Sequence, residues 1–514
     1  MIKLNSFIKN HYFLFLILIF ASIILSINLD KPFIGHHDYN GAWHSTASRN
    51  LVRYGLVNTR FASVLNADYT ARGDFQYFTH YPPLLPILIY TSFSIFGVSE
   101  LSARLIPLIF SLMTILLIYQ ICLRFFNPRV AILSAALSSV LPIVVYFGKI
   151  PTHDLITIPF VLLSIIFYFN FVNSPSRANI FLLTMSLLLS HLSNWAGYYT
   201  TPLFFIHYLL FTKRPQKLFI ASIFPIFSLC MFTIHLGHVK WLTGSFLGGG
   251  LTDIFLDRLN ITDKPIDYSL FNFLKLQARY LTIYFTRPVL LLSAAAAIWT
   301  LLQIKKGHLS KQVQLIVMLA LFGVSHSLIF RNISFIHDYI IIYLWPFLVI
   351  TASAGFFQVT DSLKFLSRRQ VIFLSILLLI QVSTERLKFT KALLSSSGFY
   401  PGFQLGKIIS QKTQSGEKVL VLSPDFKRYF EVFTNFYADR VINYQLITEE
   451  ELQGPLTSQN YKLVVAIPSR DTPQALIDVL QNQYQPTKID QFIIFDLHES
   501  KTKGKISFHN YPNF

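Results

Sequence analysis

Four short stretches of the chain gather acids, imidazoles and cations beside long apolar runs. Such groups cost free energy there unless they are paired, capping or functional. The first stretch is Gly35-His36-His37-Asp38-Tyr39-Asn40-Gly41-Ala42-Trp43-His44, followed by Arg49, Arg53, Tyr54 and Gly55. The second is Thr79-His80-Tyr81-Pro82-Pro83-Leu84, and the third is Lys149-Ile150-Pro151-Thr152-His153-Asp154. The fourth is Arg331-Asn332-Ile333-Ser334-Phe335-Ile336-His337-Asp338-Tyr339, leading into Leu344-Trp345-Pro346. Each has two readings. Asp38 precedes a helical pattern and can simply cap it. Asp154 opens an apolar helix whose dipole favours an acid in its first turn, although an ionisable residue at such a position is also a functional candidate. His36, His37 and His44 raise a metal site, but their loose spacing fits no ligand motif well. Pro82 and Pro83 stiffen the backbone, either to set the angle of the next helix or to hold His80 and Tyr81 at headgroup depth, where an imidazole can meet a lipid phosphate. Arg331 and His337 can bind an anion or act as interfacial anchors. His191, Asn194, Arg279 and Arg287 have no motif behind them.

The elements that must position these groups are membrane spans. Hydrophobic residues make up 53% of the 514 residues and charged ones 13%, against roughly a quarter charged in a soluble domain. Mean hydropathy is +0.49. Apolar runs cover 11–29, 101–124, 130–148, 155–172, 178–193, 197–212, 218–236, 281–303, 312–330, 336–357 and 370–385. At about 20 residues per crossing, that is about eleven spans. The net charge of +18 then reads as positive loops on the cytoplasmic side and attraction to anionic membrane lipids. Nucleic-acid binding is excluded, since no recognition motif accompanies the charge. Cys122 and Cys230 sit inside apolar runs as small hydrophobes. Lys3 and Lys9 precede the run from Tyr12 to Leu29, which is long and lacks a small-residue cleavage site, so it reads as a retained first span.

The short apolar segment Leu84–Phe96 decides the side of everything after it. If it lies in the interface without crossing, every short basic loop falls on the side of Lys3 and Lys9. Those loops carry Arg124 and Arg129; Arg177; Lys213, Arg214 and Lys217; Lys305, Lys306 and Lys311; and Lys364, Arg368 and Arg369. Asp38, His80, Asp154 and His337 then share the opposite, extracytoplasmic side. The tail changes character: Lys418–Leu422, Lys462–Ile467 and Gln491–Asp496 read as strands, with a helix over Pro473–Gln483. The expected organisation is a transmembrane domain over 1–390, whose first external loop (30–100) carries amphipathic interfacial helices, and a small extracytoplasmic α/β domain over 391–514. No repeat suggests duplicated transporter halves.

In this order the elements resemble the GT-C class of membrane glycosyltransferases, specifically bacterial relatives of the protein O-mannosyltransferases and of the lipid A aminoarabinose transferase. The carriers are Asp38 with the stretch ending Arg53-Tyr54-Gly55, then His80-Tyr81-Pro82-Pro83-Leu84, Phe96-Gly97-Val98-Ser99-Glu100 with Arg104, Asp154, and His337-Asp338-Tyr339 with Pro346. The similarity covers about residues 1–360. The resemblance implies a GT-C fold and inverting transfer of a sugar from a polyprenyl-phosphate donor to a lipid, glycan or protein acceptor, on an integral inner-membrane protein. It makes Asp38 the general base toward the acceptor hydroxyl and Asp154 a second acid that orients the acceptor or holds a metal. His80, Tyr81, Arg331 and His337 become contacts for the donor phosphate, where cations stabilise developing charge. His37, His153, Asp338 and Tyr339 become groups assisting the acceptor or a metal. The class usually carries an acidic pair after the first aspartate. Tyr39 and Asn40 stand there instead, so no cofactor is firmly implied and a divalent metal ion stays open. The alternative is a flippase or transporter of lipid-linked saccharides. That function calls for ionisable groups and broken helices near mid-membrane, whereas here the ionisable groups collect at span ends.

Overall fold

The computed structural model describes residues 2–261, 265–445, 460–468 and 474–500. The chain gathers into two compact units. The first comprises Met1–Asp30, Leu51–Ser63 and Tyr77–Ser395, and the second Lys31–Asn50, Val64–Gln76 and Ser396–Phe514.

The first unit is mostly helical, and each apolar run of the sequence is helical along most of its length. Among the described residues, six helices are long and apolar enough to cross a membrane alone: Glu100–Phe125, His153–Asn173, Lys217–Thr243, Arg287–Lys305, Lys311–Ile329 and Asp338–Ser362. The other runs give shorter or broken helices. The run 130–148 splits into Pro128–Val140 and Pro142–Phe147, because Pro142 has no N–H to continue the ladder. Pro107, Pro159 and Pro225 sit inside long helices, where neighbouring groups can satisfy the freed carbonyls. The helix from Trp345 is the most enclosed. Val349, Ile350 and Ala352 are fully buried, and the Trp345 indole N–H donates to the Ser138 hydroxyl at 3.1 Å.

Contacts between loops fix which ends of the helices lie together. Arg129 makes a two-pronged ion pair with Asp361 at 3.0 and 2.8 Å, and Arg124 donates to Asn170. Lys311 donates to Asn173 at 2.7 Å, and Arg214 donates to the Val172 carbonyl at 3.0 Å. The basic loops therefore share one end of the unit. At the other end, Arg104 and Lys149, both buried, donate to the Leu29 and Ile27 carbonyls that close the first helix. Cations are favoured at that terminus. The helix Leu84–Phe96 has 13 residues, about 20 Å at 1.5 Å per residue and too short for a hydrocarbon core of about 30 Å. It turns back at Gly97 (φ +80°), and Ser92 donates to the Ser102 carbonyl at 2.7 Å.

The second unit is built on a five-stranded sheet of β1 (Lys418–Leu422), β2 (Ile442–Tyr444), β3 (Tyr461–Ala466), β4 (Tyr484–Ile489) and β5 (Phe492–Ser500). The spatial order is β2-β1-β3-β5-β4. The first three strands are parallel, and β5 runs antiparallel to both neighbours. Successive side chains of a strand point to opposite faces. Val419, Val421, Leu463 and Val465 pack with Leu405, Ile409 and Phe426, whereas Leu420, Leu422, Val464 and Ala466 pack with Leu476, Ile477 and Leu480. Helices thus cover both faces, the usual setting of parallel strands. Three strands match the sequence expectation. The helix Gln474–Gln483 does too, although Pro473 lies outside the described residues. The edge strands β2 and β4 escape it, the first because it has three residues and the second because Pro486 interrupts its pattern.

The helix Tyr39–Tyr54 is not simply laid on a bilayer. Ala42, Ala47 and Leu51 are buried, and so are Ser45, Ser48 and Asn50. In the second unit its first part is fastened by protein contacts. Gly41 leaves room for the Phe33 ring, and the Phe33 N–H donates to the Tyr437 hydroxyl at 2.7 Å. Arg49 donates to the Phe436 carbonyl and pairs with Asp439 at 2.9 Å.

Candidate functional site

In the first unit, His80, Tyr81, His153 and Asp154 are drawn into one buried cluster. Thr152 caps the helix His153–Asn173, its hydroxyl accepting from Leu155 N–H at 3.3 Å. With the cap position taken by Thr152, the Asp154 carboxylate turns elsewhere. It accepts from the Tyr343 hydroxyl at 2.6 Å and from the Asn194 amide at 3.1 Å, and that amide also reaches the Tyr343 oxygen at 3.0 Å. The Trp195 indole N–H, one residue on, donates to the His80 carbonyl at 2.9 Å. The Tyr81 ring stacks on His153 at 4.3 Å and meets His80 edge-on at 4.7 Å.

The charge of this cluster comes from a residue that the sequence motifs did not single out. Arg258 ends the short helix Leu251–Arg258. Its guanidinium lies 4.8 Å from the Tyr81 ring centroid and donates to the Tyr81 hydroxyl. Arg258 is 8% exposed, and its Nε has no hydrogen-bond partner among the described residues. The turn before the helix is Gly248-Gly249-Gly250, clasped to the loop that carries His80. The Thr79 hydroxyl donates to the Gly248 and Gly249 carbonyls at 2.7 and 3.0 Å. Gly249 has φ +66°, and a Cβ there would stand 2.7 Å from the Thr79 side chain. Asn332 ties down the far end by donating to the Asp257 carbonyl at 2.6 Å. A small crevice of about 10 Å³, lined by Phe78, Thr79, Tyr81, His235, His238 and Leu242 among others, lies alongside.

His80 is 1% exposed. The Leu251 backbone is near, but neither ring nitrogen completes a hydrogen bond among the described residues. Burial first, and the Arg258 charge second, push its pKa down to about 2, so the ring is neutral. Burial raises the Tyr81 hydroxyl, with Arg258 opposing and Asp154 adding to the rise. Arg258 itself is held firmly charged: burial works against it, and Tyr81 and Asp154 outweigh burial. The cluster therefore pairs a desolvated guanidinium with a buried, neutral imidazole that the Leu251 backbone approaches. That suits an oxyanion rich in lone pairs.

The remaining expected residues divide. Tyr339 lies close enough for its charge to act on Arg258, and His337 packs on Tyr339 with ring centroids 5.2 Å apart. Asp338 accepts from the Tyr284 hydroxyl, and Arg331 is exposed. Asp38 and His37 belong to the second unit. There the Asp38 backbone carbonyl accepts from Ala42 N–H at 3.0 Å and begins the helix. Its carboxylate folds backward and accepts from Gly35 N–H at 2.7 Å and Ile34 N–H at 3.1 Å. Asp38 is therefore fixed by the turn before the helix, which in turn is held where Ser396 accepts from His36 N–H at 3.0 Å. His36 and His37 meet edge-on at 4.5 Å. No group of three or more His, Cys, Asp or Glu comes together to hold a metal ion among the described residues, so no step is routed through one.

Residues 80–241 match the family described as dolichyl-phosphate-mannose-protein mannosyltransferase. No curated protein matches the chain in sequence. Among solved structures, ArnT from Cupriavidus metallidurans in the apo state superposes with a TM-score of 0.62 at 14% identity, covering 95% of this chain and 98% of that one. The same protein bound to undecaprenyl phosphate gives 0.63 at 14%, covering 94% and 98%. The oligosaccharyltransferase of Archaeoglobus fulgidus, in complex with zinc and sulfate, gives 0.56 at 15%, covering 88% and 67%. The chain has the GT-C fold. With the mannosyltransferase match over 80–241, that fold likens the chain to membrane glycosyltransferases of the GT-C type. That match begins at His80 and takes in Tyr81, His153, Asp154 and Asn194, and stops before Arg258. Arg258 had only a weak mark in the sequence: a cation closing a short amphipathic stretch behind three glycines.

Proposed function

We propose that this GT-C protein transfers a sugar from a polyprenyl-phosphate donor to an acceptor hydroxyl on the extracytoplasmic side, with inversion at the anomeric carbon. The observation that carries the reading is the buried Arg258 over Tyr81, beside the buried, neutral imidazole of His80. It is supported by the ArnT structure bound to undecaprenyl phosphate. In the proposed reaction the acceptor oxygen loses its proton to Asp38 and attacks the anomeric carbon. The bond from that carbon to the phosphate oxygen breaks, and its electron pair leaves with the polyprenyl phosphate. Arg258, with the Tyr81 hydroxyl, stabilises the charge that gathers on the phosphate. Asp154, held by Tyr343 and Asn194, keeps Arg258 charged and oriented. The end of the first unit bearing the basic loops is assigned to the cytoplasm, which makes the N-terminus cytoplasmic and the site extracytoplasmic.

The test is release of polyprenyl phosphate from a panel of polyprenyl-phosphate sugars by the purified protein in lipid nanodiscs, with and without a mixed envelope-lipid and glycan extract as acceptor. Asp38→Asn should lower transfer about 10²- to 10⁴-fold, the range of general-base catalysis, and still bind donor. Equal turnover in the mutant refutes the role of Asp38. Movement of intact lipid-linked saccharide across the bilayer without phosphate release would establish a flippase instead.

A further inference from the structure

The loop that follows the helix Tyr39–Tyr54 carries backbone strain that the reaction at the phosphate does not explain. Arg60 and Phe61 stand in succession at φ +53° and +56°. Left-handed backbone is costly for bulky L-residues, and it persists only where the surroundings enforce it. Here they do, within the first unit. The Phe61 N–H donates to the Leu56 carbonyl at 2.8 Å, and His238 Nε2 donates to the Arg60 carbonyl at 2.8 Å. The Arg60 guanidinium is thereby fixed 5.1 Å from the Trp241 ring centroid, with one nitrogen donating to the Trp241 carbonyl at 2.6 Å. Its Nε is shut off from solvent and has no hydrogen-bond partner among the described residues. One residue before Trp241, the exposed Lys240 holds its ammonium 4.5 Å from the centroid of the Phe246 ring. Neither cation makes an ion pair among the described residues.

Trp241 lies in the last turn of the helix Lys217–Thr243, at the end away from the basic loops. Membrane proteins are depleted of cations on that side, yet two stand here with no acid to answer them. The same two segments expose Val57, Phe61, Trp241, Phe246 and Leu247, each between 46% and 74%. The structure assigns a site for an anionic phospholipid to this corner. The headgroup phosphate meets the Arg60 guanidinium, the glycerol and first acyl carbons lie along Trp241 and Phe61, and Lys240 adds attraction from the next helical position. The helix end by itself accounts for one nitrogen of Arg60, but for neither its Nε nor Lys240. An ordinary interfacial anchor extends a flexible side chain toward the headgroups and needs no strained backbone. Arg60 is instead held rigidly, and the Trp241 carbonyl takes one arm of its fork, leaving the other for a phosphate oxygen. A zwitterionic headgroup would bring its own cation against Arg60 and Lys240, so the corner selects net negative charge. The assignment stands whether or not the protein proves to be a transferase.

The test is amide hydrogen exchange of the full chain in phosphatidylcholine nanodiscs to which increasing fractions of phosphatidylglycerol are added. Peptides over 55–63 and 239–247 should exchange more slowly as the anionic lipid rises. Lys240→Gln should raise the fraction needed for half of that slowing about fivefold, the equivalent of roughly 1 kcal/mol for one cation at a membrane surface. Arg60→Gln should abolish the slowing, and Arg60→Lys should restore part of it. In the wild type, a tenfold rise in KCl should move the half-point upward, because salt screens exposed charges, and this arm needs no variant to fold. Equal exchange with and without phosphatidylglycerol, or slowing that survives Arg60→Gln, overturns the site. So does equal slowing by inorganic phosphate in phosphatidylcholine nanodiscs, which would show a site for a free anion. Slowing confined to peptides of the basic loops would put the anionic lipid at the opposite end, and likewise overturns it.

Discussion

Replacing Arg258 by Met keeps most of the side-chain volume and removes the charge. The guanidinium is 8% exposed, and the phosphate would form hydrogen bonds to it at about 4 Å between charge centres. At an effective dielectric near 20, a unit pair at that distance is worth about 4 kcal/mol. Part of this is already present in the bound donor, whose phosphate is a monoanion. The gain in the transition state comes from the second charge that develops as the ester bond breaks. Removal of one preorganised donor to a developing oxyanion costs about 10²- to 10³-fold in kcat, and Arg258→Met should fall in that range. Arg258→Lys should recover only part of the loss, because an ammonium lacks the planar fork that serves both the Tyr81 hydroxyl and a phosphate oxygen.

The size of the stability change separates this role from a structural one. Among the described residues no carboxylate lies within ion-pair distance of Arg258, and burial weighs against its charge, but Tyr81 and the Asp154 charge together outweigh burial. Asp154 keeps its Tyr343 and Asn194 donors in the mutant. Arg258→Met should therefore melt only modestly below the wild-type temperature while turnover collapses. The assay is single-turnover release of polyprenyl phosphate under saturating donor, paired with thermal unfolding in the same nanodiscs. A kcat within threefold of wild type would refute the reasoning, and so would a large drop in melting temperature together with lost activity.

His80 supplies a second prediction. A buried imidazole with its pKa near 2, against 6.5 in the unfolded chain, leaves the unfolded state holding more protons between those values. Stability should climb with pH through that window and level off above about 6.5; His80→Gln should flatten this contribution, as read from urea unfolding at several pH values. Gly249→Ala forces a Cβ into a left-handed backbone beside Thr79, at a cost of more than about 1 kcal/mol to that turn. Limited proteolysis should then cut around residues 244–260 faster, and donor affinity should fall, with no change at the sheet of the second unit.

Much of the fold was legible because its signals are composition and period. The apolar runs located the helices. The charge of the loops predicted which ends lie together, and the Arg129–Asp361 pair and its neighbours bear that grouping out. Helix length was less legible, since Pro142 breaks a continuous apolar run and the helix from Thr200 to Phe211 has only 12 residues. The motifs found His80, Tyr81, His153 and Asp154, because a charged or aromatic residue stands out against an apolar helix end. Arg258 and Tyr343 were obscured for the opposite reason, and Asn194 stood out only as a polar residue with no motif behind it. Each lies in a stretch of ordinary composition and gains its meaning only when Thr79 clasps Gly249 or when Tyr343 reaches Asp154. The first external loop misled in one respect. Its amphipathic pattern reads as a helix on the membrane, whereas Phe33, Arg49 and Gly41 fasten it by protein contacts that no periodicity encodes.

The neutral state of His80 bears on how the site handles product. Its protonation is opposed by burial and by Arg258, and of these only the second can be reversed by a ligand. A phosphate bound against Arg258 cancels that field and adds an attraction of its own, so the proton affinity of His80 must rise when the anion arrives. By linkage the reverse also holds: a proton on His80 must tighten the anion. On binding polyprenyl phosphate between pH 7.5 and 5.5, the wild type should therefore take up more protons, or release fewer, than the phosphate's own titration accounts for. Calorimetric titration of polyprenyl phosphate in two buffers of different ionisation enthalpy measures that uptake directly. His80→Gln should abolish the excess and leave the phosphate's own titration. If wild type and His80→Gln take up the same number of protons at pH 5.5, the imidazole does not face the phosphate, and Arg258 holds it alone.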